Sequence, residues 1–119
     1  MKEYNLKHYA HIGDAVFELF IREIVINSVN TQKAIHQMTI KFVNANFQSE
    51  LLNYLEEFLT DEEKDLTRRG RNLPLTANKK SNQAIHRSAT ALEVLIGYLY
   101  LNDRKRLEEI FEIINKKGL

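Results

Sequence analysis

An all-α fold is what this sequence predicts, on three observations. The chain holds one proline and four glycines, its apolar residues recur at spacings of three and four, and no alternation of apolar and polar residues is long enough for a strand. Its 119 residues fit one domain, 1–119, with a core of useful size and no room for a second module.

A short first helix is expected over residues 3–11, and a second from Gly13 to about residue 27. The second has Val16, Leu19, Phe20 and Ile24 on one side, Phe17, Ile21 and Val25 on another, and a polar stripe of Asp14, Glu18 and Arg22 between them. Such an apolar surplus suits either core burial or a subunit interface. Asn30 and Thr31 can cap a third helix, TQKAIHQMTIKF, after which VNANFQSELLNYLEEFL continues or restarts the helical spacing. Thr60 and Glu63 have capping-box spacing and open DEEKDLTRRGRN, whose leading acids and trailing bases complement a helix dipole. Leu73-Pro74 stops that helix, and LPLTANKKS reads as a loop. A long helix then starts at Ser81 or Asn82 and runs to Tyr100 or Leu101, followed by an amphipathic one over 104–116 with Leu107, Ile110, Phe111 and Ile114 on one face.

Composition narrows the chemistry. The absence of cysteine excludes disulfides and thiolate sites, so any metal must be bound by oxygen or histidine. The four histidines, His8, His11, His36 and His86, form no zinc motif. No apolar run approaches the roughly 20 residues of a membrane span, and MKEYNLKHYAH has no signal-peptide core, so the expected location is the cytoplasm. The formal net charge of +1 hides a segregation: residues 50–65 carry seven acids against Lys64, whereas residues 66–92 carry six bases and no acid. Those bases are Arg68, Arg69, Arg71, Lys79, Lys80 and Arg87. One or two are explained by a helix C-terminus, but the acid-free stretch as a whole suits phosphate contacts.

Two carboxylates stand out. Asp14 follows Gly13 in HIGDAV, and Glu93 is the one charged residue between Ser88 and Asn102. Helical spacing surrounds Glu93 with the small residues Ala89, Thr90 and Gly97. Taken singly, Asp14 reads as a capping acid and Glu93 as half of a structural ion pair. Taken together, two acids from separate helices are a usual way to hold Mg2+, which takes hard oxygen ligands and keeps several waters.

The segments HIGDAVFELFIR, VNANFQ, RRGRN and ATALEVLIGYLYL occur in an order and spacing that cover nearly the whole chain. In them the sequence resembles the Mini-ribonuclease III family, the minimal branch of the ribonuclease III superfamily. The resemblance implies a ribonuclease III catalytic domain, a helical bundle with no double-stranded-RNA-binding domain, acting as a homodimer. It implies Mg2+-dependent cleavage of double-stranded RNA, with precursor of large-subunit (23S) ribosomal RNA as substrate and 5′-phosphate and 3′-hydroxyl ends as products. Asp14 and Glu93 would be the metal-holding catalytic pair; RNA would be held by Arg68, Arg69, Arg71, Lys79, Lys80 and Arg87. Longer relatives carry further acids where this chain has Lys7, Ala10 and Thr90. Those replacements keep open a non-catalytic RNA-binding or scaffold domain, and a helical protein-interaction module is the third class compatible with the pattern.

Overall fold

Side-chain caps open most helices of this protein, whose computed structural model describes residues 4–75 and 82–118. Asn5 opens α1 (Leu6–Ile26): its side chain accepts from the His8 backbone N–H at 3.1 Å, while its own N–H donates to His8 Nδ1 at 3.1 Å. His8 is thereby a capping residue. Thr31 caps α2 (Gln32–Phe42) by accepting from the Ala34 N–H at 3.1 Å. Asn44 serves two helices at once. Its amide nitrogen donates to the Ile40 and Lys41 carbonyls at the end of α2, and its oxygen accepts from the Phe47 N–H at the start of α3 (Ala45–Leu55). VNANFQ thus restarts a helix, and a short 3-10 turn, Glu56–Phe58, follows α3.

The predicted capping box forms: Thr60 and Glu63 exchange backbone and side-chain bonds of 2.9 and 3.1 Å at the start of α4 (Asp61–Arg71). Helix α5 (Gln83–Asn102) begins after Asn82, whose φ of 56° lies in the left-handed region that asparagine tolerates. Asp103 caps α6 (Arg104–Lys117) by accepting from the Arg106 N–H at 3.1 Å. The expected break at Ile12-Gly13 is absent: in place of two helices the chain forms the single α1, because Gly13 serves packing and does not end the helix.

Helix α5 is the axis of the bundle, packed against α1, α3, α4 and α6. Its Ala91, Leu92, Leu95 and Ile96 are fully buried, meeting Phe17 and Ile21 of α1, Leu51, Leu52 and Leu55 of α3, and Ile110 and Ile114 of α6 in one core. Of the two apolar faces expected on α1, Phe17, Ile21 and Val25 are buried. Val16, Phe20 and Ile24 are half-buried and Leu19 is exposed. The Phe20 ring stacks on Phe111 of α6 at 4.0 Å and 6°.

Two glycines decide how closely α1 and α5 cross. A Cβ on Gly13 would overlap the Glu93 carbonyl, and one on Gly97 would overlap the Tyr9 carbonyl. Each helix supplies one glycine to the other's backbone, so neither can take a side chain there without moving the pair apart. A separate clamp joins α6 to α4: Arg106 Nε and Nη2 each donate to Glu63 at 2.9 Å, and Nη2 also donates to the Phe58 carbonyl at 2.9 Å. Burial alone would push the Glu63 carboxyl up, but the bonds from Arg106 and from the Thr60 N–H, with the guanidinium charge, hold it below its ordinary 4.5.

Gly13→Ala or Gly97→Ala should therefore destabilise by about 3 kcal/mol or more, read as a fall in urea midpoint, since overpacking at a backbone contact has no flexible neighbour to absorb it. Glu63→Gln should cost about 3 kcal/mol at neutral pH by leaving Arg106 half-paired. Because the folded carboxyl titrates below its unfolded value of 4.5, its stabilisation is complete above that pH and fades as pH falls through the folded value. In urea titrations across that window, the gap between wild type and Glu63→Gln should shrink as pH drops.

Candidate active site

The crossing of α1 and α5 brings the two singled-out acids to one place. Gly13 lies against the backbone of Glu93, so Asp14, the next residue on α1, comes to the edge of the same contact. Both line an open cleft of about 390 Å³, together with Lys7, Ala10, His11, Thr90 and the segment Leu73-Pro74-Leu75. Asp14 is exposed and Glu93 half-buried. Asp14 is open to water, because the polar stripe of α1 faces outward. Within that stripe, Glu18 pairs with Arg22 at 3.0 Å, and neither residue lines the cleft.

As a donor set, the cleft offers two carboxylates from two helices, and the space holds several waters. That combination fits Mg2+, which accepts one or two carboxylates and fills its remaining positions with water and substrate phosphate. Among the described residues no group of three or more His, Asp or Glu could hold a metal, so a histidine zinc centre finds no support there. Lys7, Ala10 and Thr90 all face the cleft, which places the three replaced carboxylates within the site.

The predicted basic residues divide. Arg68 donates to Asp65 at 2.7 Å, and Arg69 lies 3.9 Å from the same carboxylate. The Arg68 guanidinium holds the Asp65 carboxyl below its usual range. Arg71 lies 3.7 Å from Glu56. None of these three lines the carboxylate cleft; they sit near the end of α4, just before the chain reaches Leu73. Arg87 turns inward, its Nη1 donating to the Arg71 carbonyl at 2.9 Å and the Leu73 carbonyl at 3.2 Å. It ties the end of α4 to α5 and so braces the segment walling the cleft. Lys79 and Lys80 lie outside the described residues.

Sequence reading missed Leu73, Pro74 and Leu75 as site residues, having taken Pro74 for a helix stop. The signal was the proline itself, a fixed φ placed directly between a basic helix end and the helix of Glu93. A larger cavity, about 710 Å³, lies between α4, the end of α5 and α6. Its lining includes Asp61, Glu62, Glu63, Asp65 and Asp103, with Arg69 and Arg106 in ion pairs, an environment that repels phosphate.

Residues 7–104 match the family model of the Ribonuclease III domain. A protein of Clostridium tetani named Mini-ribonuclease 3 is 40% identical over 118 residues, covering 96% of this chain and 78% of its own. Proteins of the same name from Thermosynechococcus vestitus and Staphylococcus aureus are 38% and 35% identical, covering 88% and 91% of this chain and 70% and 87% of their own. A crystal structure of a Fusobacterium nucleatum protein superposes with a TM-score of 0.85 at 28% identity, over 99% of this chain and 97% of that one. With the cleft of Asp14 and Glu93 inside the matched span, these likenesses establish that the chain belongs to the ribonuclease III family, alongside the proteins named Mini-ribonuclease 3.

Proposed function

We propose that this chain is an endoribonuclease that cuts double-stranded RNA with Mg2+ held by Asp14 and Glu93, acting as a homodimer in the cytoplasm on precursor of 23S ribosomal RNA. The observation that carries the reading is the meeting of the two carboxylates at one open cleft from separate helices. Membership of the ribonuclease III family supports the reaction class. The names of the curated relatives support the minimal, catalytic-domain form.

In the reaction, a water oxygen bonds to phosphorus in line with the departing 3′ oxygen. The P–O3′ bond breaks, and the proton lost by water is matched by one gained at O3′, leaving a 5′-phosphate and a 3′-hydroxyl. Mg2+ bound here would stabilise charge on the phosphate and ease deprotonation of the attacking water. The protein's part is positional. Asp14 and Glu93 aim hard oxygen donors into the cleft from helices whose spacing is set by backbone contact. Leu73, Pro74 and Leu75 form an uncharged wall, which Arg87 braces through the Leu73 carbonyl. Each chain presents one such pair, so severing both strands of a duplex calls for two copies.

A-form RNA offers a shallow minor groove and its phosphate ridges, so recognition by a catalytic domain alone should rest on shape and charge and weaken steeply with salt. Arg68, Arg69 and Arg71, with Lys79 and Lys80, are the proposed outer phosphate contacts. Arg68 and Arg69 are more than half exposed despite their ion pairs.

Purified protein with Mg2+ should cut a structured RNA duplex, and Asp14→Asn or Glu93→Gln should slow single-turnover cleavage by about 1000-fold or more while the helical circular-dichroism melt is unchanged. Duplex binding with no cleavage by the wild type would replace this reading with the RNA-binding scaffold that Lys7, Ala10 and Thr90 favour. No salt-sensitive binding would favour the protein-interaction module. Sedimentation at micromolar concentration should give twice the 14.0 kDa of one chain, and a monomer at all concentrations would rule out the dimer.

A further inference from the structure

The end of α4 is held to α5 at two successive turns. A Cβ on Gly70 would come 3.0 Å from the Ala91 Cα and 3.4 Å from the Val94 side chain, so the last turn of α4 lies close against α5 there. One turn earlier on α5, Arg87 Nη1 donates to the Arg71 carbonyl at 2.9 Å and to the Leu73 carbonyl at 3.2 Å. Carbonyls at the end of a helix have no intrahelical partner, and a cation among them also complements the helix dipole. The Asn72 and Leu73 N–H groups close back on the Arg69 and Gly70 carbonyls, and Arg87 takes two that this local turn leaves over. Both hydrogens of Nη1 are spent in these bonds. Arg87 is half-buried and does not line the carboxylate cleft.

Arg87 stands between two parts of the proposed reaction. On one side are Arg68 and Arg69, each more than half exposed near the end of α4 that it fixes. On the other, Glu93 follows six positions later on α5, about 9 Å along the axis, and Leu73 is itself part of the cleft wall. A guanidinium that fixes one set of groups relative to the other sets the length of RNA backbone between grip and cut, without touching RNA.

Resting on the nuclease reading above, we propose that Arg87 is a positioning residue for cleavage. It holds the phosphate-contacting end of α4 in register with the cleft of Asp14 and Glu93, and thereby decides where a strand is cut relative to where it is held. A direct phosphate contact, which its place in the basic run suggests, is the outcome the test separates from this one.

The test uses the full chain and an end-labelled RNA duplex. Arg87→Met keeps the stem and loses the donors, and Arg87→Lys keeps a donor; Arg87→Gln carries the same readings if Arg87→Met does not fold. With a chelator and no divalent ion, the slope of log affinity against log salt for Arg87→Met should equal that of wild type. Backbone amides of Asn72 and Leu73 should exchange about ten-fold faster in Arg87→Met, with those of the α1 and α5 core unchanged. At saturating RNA and Mg2+, well below the melting temperature of each variant, single-turnover cleavage should slow by about ten-fold and spread over neighbouring positions, and Arg87→Lys should restore most of the rate and the cut site. A salt slope lower by about one in Arg87→Met makes Arg87 a phosphate contact and overturns the proposal. Unchanged exchange at Asn72 and Leu73, or cleavage at the wild-type rate and position, overturns it as well. If the wild type binds duplex and never cuts, the nuclease reading fails and the positioning role falls with it; a cutting wild type beside an unaltered variant removes the positioning role alone.

Discussion

The structure depends on the backbone contact between α1 and α5. Helix packing normally keeps axes 8–10 Å apart because side chains intervene. Here Gly13 meets the Glu93 carbonyl and Gly97 meets the Tyr9 carbonyl, so the two helices touch without side chains between them. Everything chemical follows from that proximity. Asp14, next to Gly13, and Glu93, whose backbone Gly13 meets, thereby come to the edge of one cleft. The contact also orders the core, since Phe17 and Ile21 continue down α1 from Gly13 and pack with Leu92, Leu95 and Ile96 of α5.

Much of this was legible from residue types. Thr31, Thr60 and the Leu73-Pro74 stop marked helix ends correctly because each acts through local chemistry: a hydroxyl reaching its own first turn, or a ring excluding helical backbone. Gly13 misled for the opposite reason. A glycine that ends a helix and one that admits a neighbouring backbone look alike in one dimension, and the second role is defined by a residue 80 positions away. Arg87 has a structural role that its sequence neighbours do not announce. Its place in an acid-free run suggests a phosphate, whereas the fold supplies two carbonyls from α4 and the segment after it. Neither acid alone is distinctive; Asp14 and Glu93 became legible as a pair of carboxylates on two separate helices, and the family resemblance then gave that pair a reaction.

Charge segregation along the chain also changes meaning in three dimensions. Part of the acidic run is paired: Glu63 in the buried Arg106 clamp and, at the surface, Asp65 with Arg68 and Glu56 near Arg71. The basic run is thereby partly neutralised by the run preceding it, and what remains exposed is a helix end carrying Arg68 and Arg69. A field of this kind orients an approaching polyanion more than it adds to its affinity. The larger acidic cavity on the side of α6 reinforces that orientation by repulsion.

Arg87 and Glu93 share α5, and that shared helix has a mechanical consequence. Through the carbonyls of Arg71 and Leu73, α5 carries one wall of the cleft; through its own side chain it carries one of the two acids. Wall and acid are therefore parts of a single lever, and α1 with Asp14 is the surface it works against. The width of the cleft and the position of Glu93 are thus referred to the same helix, through one arginine and one glutamate six residues apart.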